Sequence, residues 1–145
     1  MIKANRKECR KKLAELIENK LTVENTLASE VHAQPAKGFD TTPAVVVSSN
    51  GSVRGQGTFM GLSNTYRFTV ETFITYPIPE DTSYTRETVE DSLDDIEAGI
   101  AEVISENQVV ADYWEALQLV GPTDAIQIML DGTQYRFEQI IVEVS

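Results

Sequence analysis

The chain has 145 residues, 41% of them hydrophobic and 24% charged, with a formal net charge of −11 and one cysteine. This is enough sequence for one domain with a two-layer core. It argues against a disordered chain, an intrachain disulfide framework and, with no apolar run near the ~20 residues required, a helical membrane span. So acidic a chain is also badly matched to nonspecific adhesion on DNA or anionic membrane; no signal peptide is expected, and assembly in the cytosol is the default.

Charge is unevenly placed. The first twenty residues carry seven basic and three acidic side chains; the other 125 carry five basic and twenty acidic. A basic leading segment on an acidic body suits an object that docks with one end, on a partner or on copies of itself. Residues 4–20 read as a helix, because Cys9, Leu13, Leu16, Ile17 and Leu21 recur at helical spacing and form one apolar stripe. Glu8 and Lys12 stand in the favourable i,i+4 order.

The pattern then dissolves. Residues 33–43 hold two prolines and a glycine and read as a flexible loop, with a short extended piece before it near His32. Ala44 to Ser49 is a strand rich in valine, and Asn50-Gly51 predicts a hairpin turn after it. The partner strand, broken by Gly55, Gly57 and Gly61, is expected to be bulged or to end early. Asn64 to Tyr76 is the longest strand. Tyr66, Phe68, Val70, Thr72 and Ile74 share one face; Arg67, Thr69, Glu71, Phe73 and Thr75 share the other; Pro77 and Pro79 end it.

A second helix is predicted over residues 84–106, entered through a Thr/Ser-rich stretch from Asp81. Its stripe is Val89, Leu93, Ile96, Ile100 and Val103/Ile104. Thr85 with Thr88 lacks the acid of a capping box, so the start is open. The remaining faces carry eight acidic residues opposed by Arg86 alone. Asp112 to Val120 reads as a strand or irregular edge anchored by Trp114. Asp124–Leu130 and Thr133–Val144 form a second hairpin about Asp131-Gly132. The sum is an α+β fold: a mostly antiparallel, mixed sheet of four to six strands packed by two helices, in a single two-layer domain spanning residues 1–145. Its expected core is Leu13, Ile17, Val45, Val47, Phe68, Val70, Leu93, Ile96, Ile100, Ile128 and Ile140.

No reactive constellation stands out. His32 and Cys9 sit on different elements with no second His or Cys, so no catalytic dyad or zinc set is read, and no metal or cofactor is expected. The acidic helix lacks the Asp-x-Asp-x-Asn-Gly loop that gathers ligands around calcium and reads as a solvated face or a negative surface for a basic partner. The segment from Gly55 to Gly61 lacks the Lys-Ser/Thr of a phosphate loop. It is read as a bulged hairpin end, or as a loop docking Phe59, Met60 and Leu62 on a neighbour. Lys7, Arg10 and Lys11 on the first helix and Asp91, Asp94 and Asp95 on the second are the candidate charged interface residues.

In order along the chain stand a leading helix ending at Leu21, Val31-His32 before a Pro-containing loop, and Pro43-Ala44-Val45-Val46-Val47. The long strand Tyr66-x-Phe68-x-Val70-x-Thr72-x-Ile74 follows, then the acidic helix with Leu93, Ile96 and Ile100, and a closing hairpin with Tyr135 and Phe137. This order resembles the tail terminator (tail completion) proteins of long-tailed phages, the lambda-like type, over nearly the whole chain. The glycine-rich segment from Gly55 to Gly61 departs from the typical case. The resemblance implies a non-enzymatic virion protein: a homo-oligomeric ring, usually a hexamer, that caps the head-proximal end of the tail tube and joins it to the neck. Its partners would be further copies of itself, the tail tube protein and a neck or connector protein. It would reside in the tail–neck region of the virion after assembly in the host cytoplasm. DNA would pass through the lumen without specific binding, which an acidic bore favours. The alternatives are another neck or head–tail connector protein, or a cytosolic acidic binding module or assembly chaperone.

Overall fold

The computed structural model describes residues 4–35, 38–58, 61–76 and 85–145, with residues 55–58 and 61–63 given by their backbone alone. The first helix, α1 (Arg6–Glu18), is set by its N-cap: Asn5 accepts from the Glu8 N–H at 2.9 Å, and Glu8 Oε2 accepts from the Asn5 N–H at 2.8 Å. Two helix-end donors are satisfied reciprocally in this way. Glu8 is therefore committed to the cap rather than to the expected pair with Lys12. Lys12 instead reaches Glu15 at 3.4 Å and lies 5.3 Å from the Tyr113 ring centroid. A π-helical segment, Asn19–Glu24, continues α1, and Cys9, Leu13, Ile17 and Leu21 form a fully buried stripe, with Leu16 partly buried against it.

Strand β1 (Glu30–His32) pairs in parallel with β2 (Ala44–Thr58), Glu30 opposite Ala44. The described part of the intervening loop is pinned rather than free. Phe39 packs with its ring centroid 4.8 Å from that of Phe73, and the Thr42 and Thr75 hydroxyls are 2.8 Å apart; Ala36 and Lys37 lie outside the described residues.

β2 runs antiparallel to β3 (Gly61–Thr75), and here one expectation is overturned. Asn50-Gly51 is not a hairpin turn. Pairing continues past it, from Ser49 opposite Phe68 to Ser52 opposite Tyr66, with a register shift between. Gly51, at φ 104°, takes up the extra residue as a bulge, a place where glycine meets no Cβ penalty. The strands instead pair out to Thr58 opposite Gly61, with a second register shift near Gln56, in keeping with a bulged glycine-rich hairpin end. β3 buries Tyr66, Phe68, Val70, Thr72 and Ile74 on one face, as the alternation predicts. Phe73 and Thr69 of the opposite face are buried too. Pro77 and Pro79 lie outside the described residues, as does the stretch from Asp81 to Tyr84.

The second helix, α2 (Arg86–Glu106), starts at Thr85, and the capping box is present after all. Thr85 Oγ1 accepts from the Thr88 N–H at 3.2 Å, and Thr88 Oγ1 accepts from the Thr85 N–H at 3.4 Å, so a hydroxyl does the work assigned to an acid. Val89, Leu93, Ile96, Ile100, Val103 and Ile104 are buried. The region from Asp112 to Val120 reduces to a three-residue strand, β4 (Leu117–Leu119). Trp114 is the anchor just ahead of it, 2% exposed, with its indole N–H donating to the Asn107 carbonyl at 2.8 Å. β5 (Asp124–Leu130) and β6 (Thr133–Val144) form the predicted hairpin, with Asp131 and Gly132 at φ 49° and 82° as a primed turn requires.

The result is an open six-stranded mixed sheet in the order β1-β2-β3-β6-β4, with β5 also on β6; only β1–β2 is parallel. Both helices cover one face in a single core that includes Leu13, Ile17, Phe68, Val70, Ile96 and Ile140. A smaller cluster of Val46, Phe73, Tyr135 and Phe137 lies on the other face. Ile128 belongs there, partly buried, rather than in the main core, because Ile128 sits opposite Tyr135 and shares its face.

Candidate functional site

Among the described residues, two surfaces concentrate charge that no opposite charge balances. The first is a groove of about 820 Å³ between the start of α1 and the distal part of β2, lined by Asn5, Arg6, Lys7, Arg10, Ser52 and Arg54. The bulge at Gly51 carries β2 onward to this place, and α1 lies across it. Arg6 Nη1 donates to Ser52 Oγ at 3.0 Å, and Arg10 Nη1 donates to Ser49 Oγ at 3.4 Å. Arg54 Nη1 donates to Asn64 Oδ1 at 3.1 Å, with the guanidinium 5.4 Å from the Tyr66 ring centroid. Among the described residues none of the four cations pairs with a carboxylate. Arg10 Nε is buried and has no hydrogen-bond partner there. Four positive charges, three of them held by neutral hydroxyl or amide partners, make a surface suited to carboxylate or phosphate oxygens.

The second surface is the N-terminal half of α2. Glu87, Asp91, Asp94 and Asp95 are exposed and pair with no cation among the described residues. Arg86 is not the helix's one counter-charge, as composition suggested. Arg136 of β6 donates through Nε to Glu90 Oε1 at 2.6 Å. Lys20 takes Glu102 at 3.0 Å and Glu106 at 3.3 Å. Those bonds hold the Lys20 ammonium above its ordinary pKa and Glu102 below its own. One cation from another element thus reaches each half, and the N-terminal half, which holds more carboxylates, stays negative. Beneath it Glu138 is 8% exposed; burial pushes its carboxyl above the usual range, Thr123 Oγ1 donating at 2.7 Å opposes that, and Glu97 and Asp94 add to it.

The interface residues named from sequence divide as follows. Lys7 and Arg10 line the groove, and Lys11 does not. Asp91, Asp94 and Asp95 lie on the acidic surface. Phe59 and Met60 lie outside the described residues, and Leu62 is placed by its backbone alone, opposite Gln56. Arg6, Arg54 and Ser52 join the groove without having been singled out. Nothing local marks Arg54, since its position depends on β2 continuing past Asn50-Gly51.

His32 sits in β1 with Nε2 3.4 Å from Glu30 Oε2 and its ring centroid 5.8 Å from that of Phe39. Cys9 is fully buried, its thiol pushed up to about 11 by burial and by Glu8. Among the described residues no group of three or more His, Cys, Asp or Glu side chains could hold a metal ion, and no helix is long and apolar enough to cross a membrane. No protein-family profile matches the chain, and no curated protein matches it.

Proposed function

We propose that this protein is a structural virion component, a ring-forming tail terminator that caps the head-proximal end of a phage tail tube and joins it to the neck, with no catalytic role. The observation that carries the reading is the separation of an unpaired basic groove from an unpaired acidic helix face on one small chain. Two different, complementary patches favour a head-to-tail contact between copies, which closes into a ring when the rotation between copies permits. The ordered resemblance along the sequence supplies the specific place in the virion. A net charge of −11 suits a bore through which DNA slides without being held.

Immunogold electron microscopy on purified phage particles tests this reading: label at the tail–neck junction is expected. Label elsewhere in the particle, or none in it at all, overturns the reading. Native mass spectrometry should give a single ring stoichiometry in place of a monomer.

A further inference from the structure

Among the described residues two long strand edges are left open, at opposite sides of the sheet, besides the short outer edges of β1 and β4. β5 is hydrogen-bonded to β6 alone, so among the described residues the outer side of all seven of its residues is unpaired. Its sequence, Asp-Ala-Ile-Gln-Ile-Met-Leu, contains no lysine, arginine or proline, and Ile126 and Met129 are 43% and 69% exposed. Edge strands that remain in solvent are ordinarily shortened, charged, bulged or covered; β5 carries one charge, at its first residue.

At the other side, β1 covers β2 only at Ala44–Val46, and the outer side of residues 47–58 is unpaired among the described residues. Beyond Tyr66 the third strand is lost as well, because β6 ends opposite it at Val144. Residues 52–58 and 61–65 therefore form a two-stranded ribbon, and a ribbon with no third strand is marginal in water.

Each open edge lies beside one of the charged surfaces. Ser52 and Arg54 of the ribbon line the basic groove. Arg136, opposite Gln127 of β5, is the residue bonded to Glu90 on the acidic helix.

We propose that a second copy of this chain continues the sheet, the free β2 edge of one copy's ribbon adding to the free β5 edge of the next, with the Arg6–Lys7–Arg10–Arg54 groove facing the neighbour's Glu87–Asp91–Asp95 row. The inference deepens the assembly reading above and rests on it. Charge selects this pairing over the two symmetric ones. β5 against β5 brings two acidic helices together, and ribbon against ribbon brings two basic grooves together; each sets like charges side by side and leaves the other edge bare. Only the head-to-tail arrangement matches both edges and both charges at once. Arg6 and Arg10 on α1, and Glu87, Asp91 and Asp95 on α2, recur at four-residue steps, a spacing of about 6 Å along each helix, so more than one pair forms in one register.

The experiment uses the full-length chain with Val53→Cys or Met129→Cys; the two positions are 60% and 69% exposed, and the native Cys9 is buried. Each variant alone and an equimolar mixture are treated with a short bis-maleimide after mild dissociation and reassembly. The mixture is expected to cross-link, and neither variant alone. A Met129→Cys chain that links to itself, a Val53→Cys chain that links to itself, or no link in any sample overturns the inference. As an independent reading, Ile126→Lys should abolish the sedimenting oligomer while leaving the circular dichroism spectrum unchanged; an undiminished oligomer overturns the inference. Rings without the mixed link sink this contact and leave the virion reading standing. The mixed link in a chain absent from phage particles does the reverse.

Discussion

A Cβ built on Gly99 would stand 2.6 Å from Cδ2 of Leu21, so the π-helical end of α1 and the middle of α2 touch where only a glycine fits. Leu21 is fully buried there. Alanine at this position improves helix propensity by about 1 kcal/mol but forces a buried leucine to move, at a typical overpacking cost of ~1–3 kcal/mol. Gly99→Ala is therefore expected to be destabilising on balance, and Gly99→Val more so. Urea unfolding followed by Trp114 fluorescence checks this; a Gly99→Ala protein more stable than wild type contradicts the packing argument.

Ile96 is fully buried between α2 and the sheet. Ile96→Ala should cost ~2–5 kcal/mol, the range for a core truncation whose surroundings relax only partly. The same unfolding titration measures it. Loss under about 1 kcal/mol would mean that the core closes around the gap.

Burial pushes both Glu71 and Glu138 above the ordinary carboxylate range. An acid with a raised folded pKa holds its proton more tightly in the folded state. Its favourable contribution is present at low pH and is lost as pH rises through the folded value. Glu138→Gln keeps an acceptor for Thr123 and removes the charge, so it should stabilise the protein at pH 7. That gain should shrink as pH falls toward the ordinary glutamate value near ~4.3. Paired denaturation curves at pH 7 and pH 5 test the sign; a gain that grows on acidification reverses it.

Reversing Lys7, Arg10 and Lys11 together to glutamate should weaken assembly while leaving the fold intact. Exposed ion pairs contribute only ~0–1 kcal/mol each, so the effect comes from several charges acting together. It should grow as salt is lowered, because screening hides the new repulsion. The groove sharpens the expectation: Arg6→Glu with Arg54→Glu should impair assembly more than Lys11→Glu, since Lys11 lies outside it. Sedimentation velocity at low and high salt reads this out. Normal assembly of the triple variant at low salt would make the charge segregation a solubility feature.

Cys9 has its Sγ 3.6 Å from the Tyr113 carbonyl and a thiol shifted to about 11. The reactive species is the thiolate, so a neutral disulfide reagent at pH 8 should label the native chain far more slowly than the unfolded one. Rapid labelling of the native protein would place Cys9 at a mobile surface.

How far the chain can be read from its letters depends on what decides each element. Both helices and the Asp131-Gly132 hairpin were legible because their signals are local: a stripe at helical spacing, or a turn dipeptide between two alternating runs. Asn50-Gly51 carries the same kind of turn signal and does not turn. What overrides it is the continued pairing of Ser52, Val53 and Arg54 with Tyr66, Thr65 and Asn64 of β3, partners beyond the reach of the local turn signal. The error propagates to the site, since Arg54 reaches the basic groove only if the strand carries on. Thr85–Thr88 failed for a narrower reason: a threonine hydroxyl can accept and donate where the sequence rule asks for a carboxylate. The acidity of α2 was plain in the sequence, but its partial neutralisation was not, because Lys20 and Arg136 come from other elements.

The position of Lys20 has a mechanical consequence for α2. That helix has no basic residue in its own last turn, where a cation would offset the partial negative charge of its unsatisfied carbonyls. Lys20 supplies one from outside, gripping Glu102 and Glu106 and reaching Glu24 at 3.9 Å. The far end of one helix therefore serves as the clasp of another. Loosening at the end of α1 would be transmitted as fraying of the last turn of α2, just ahead of the Asn107 carbonyl on which Trp114 hangs. A fluorophore native to the chain thus reports on a junction that begins more than ninety residues earlier.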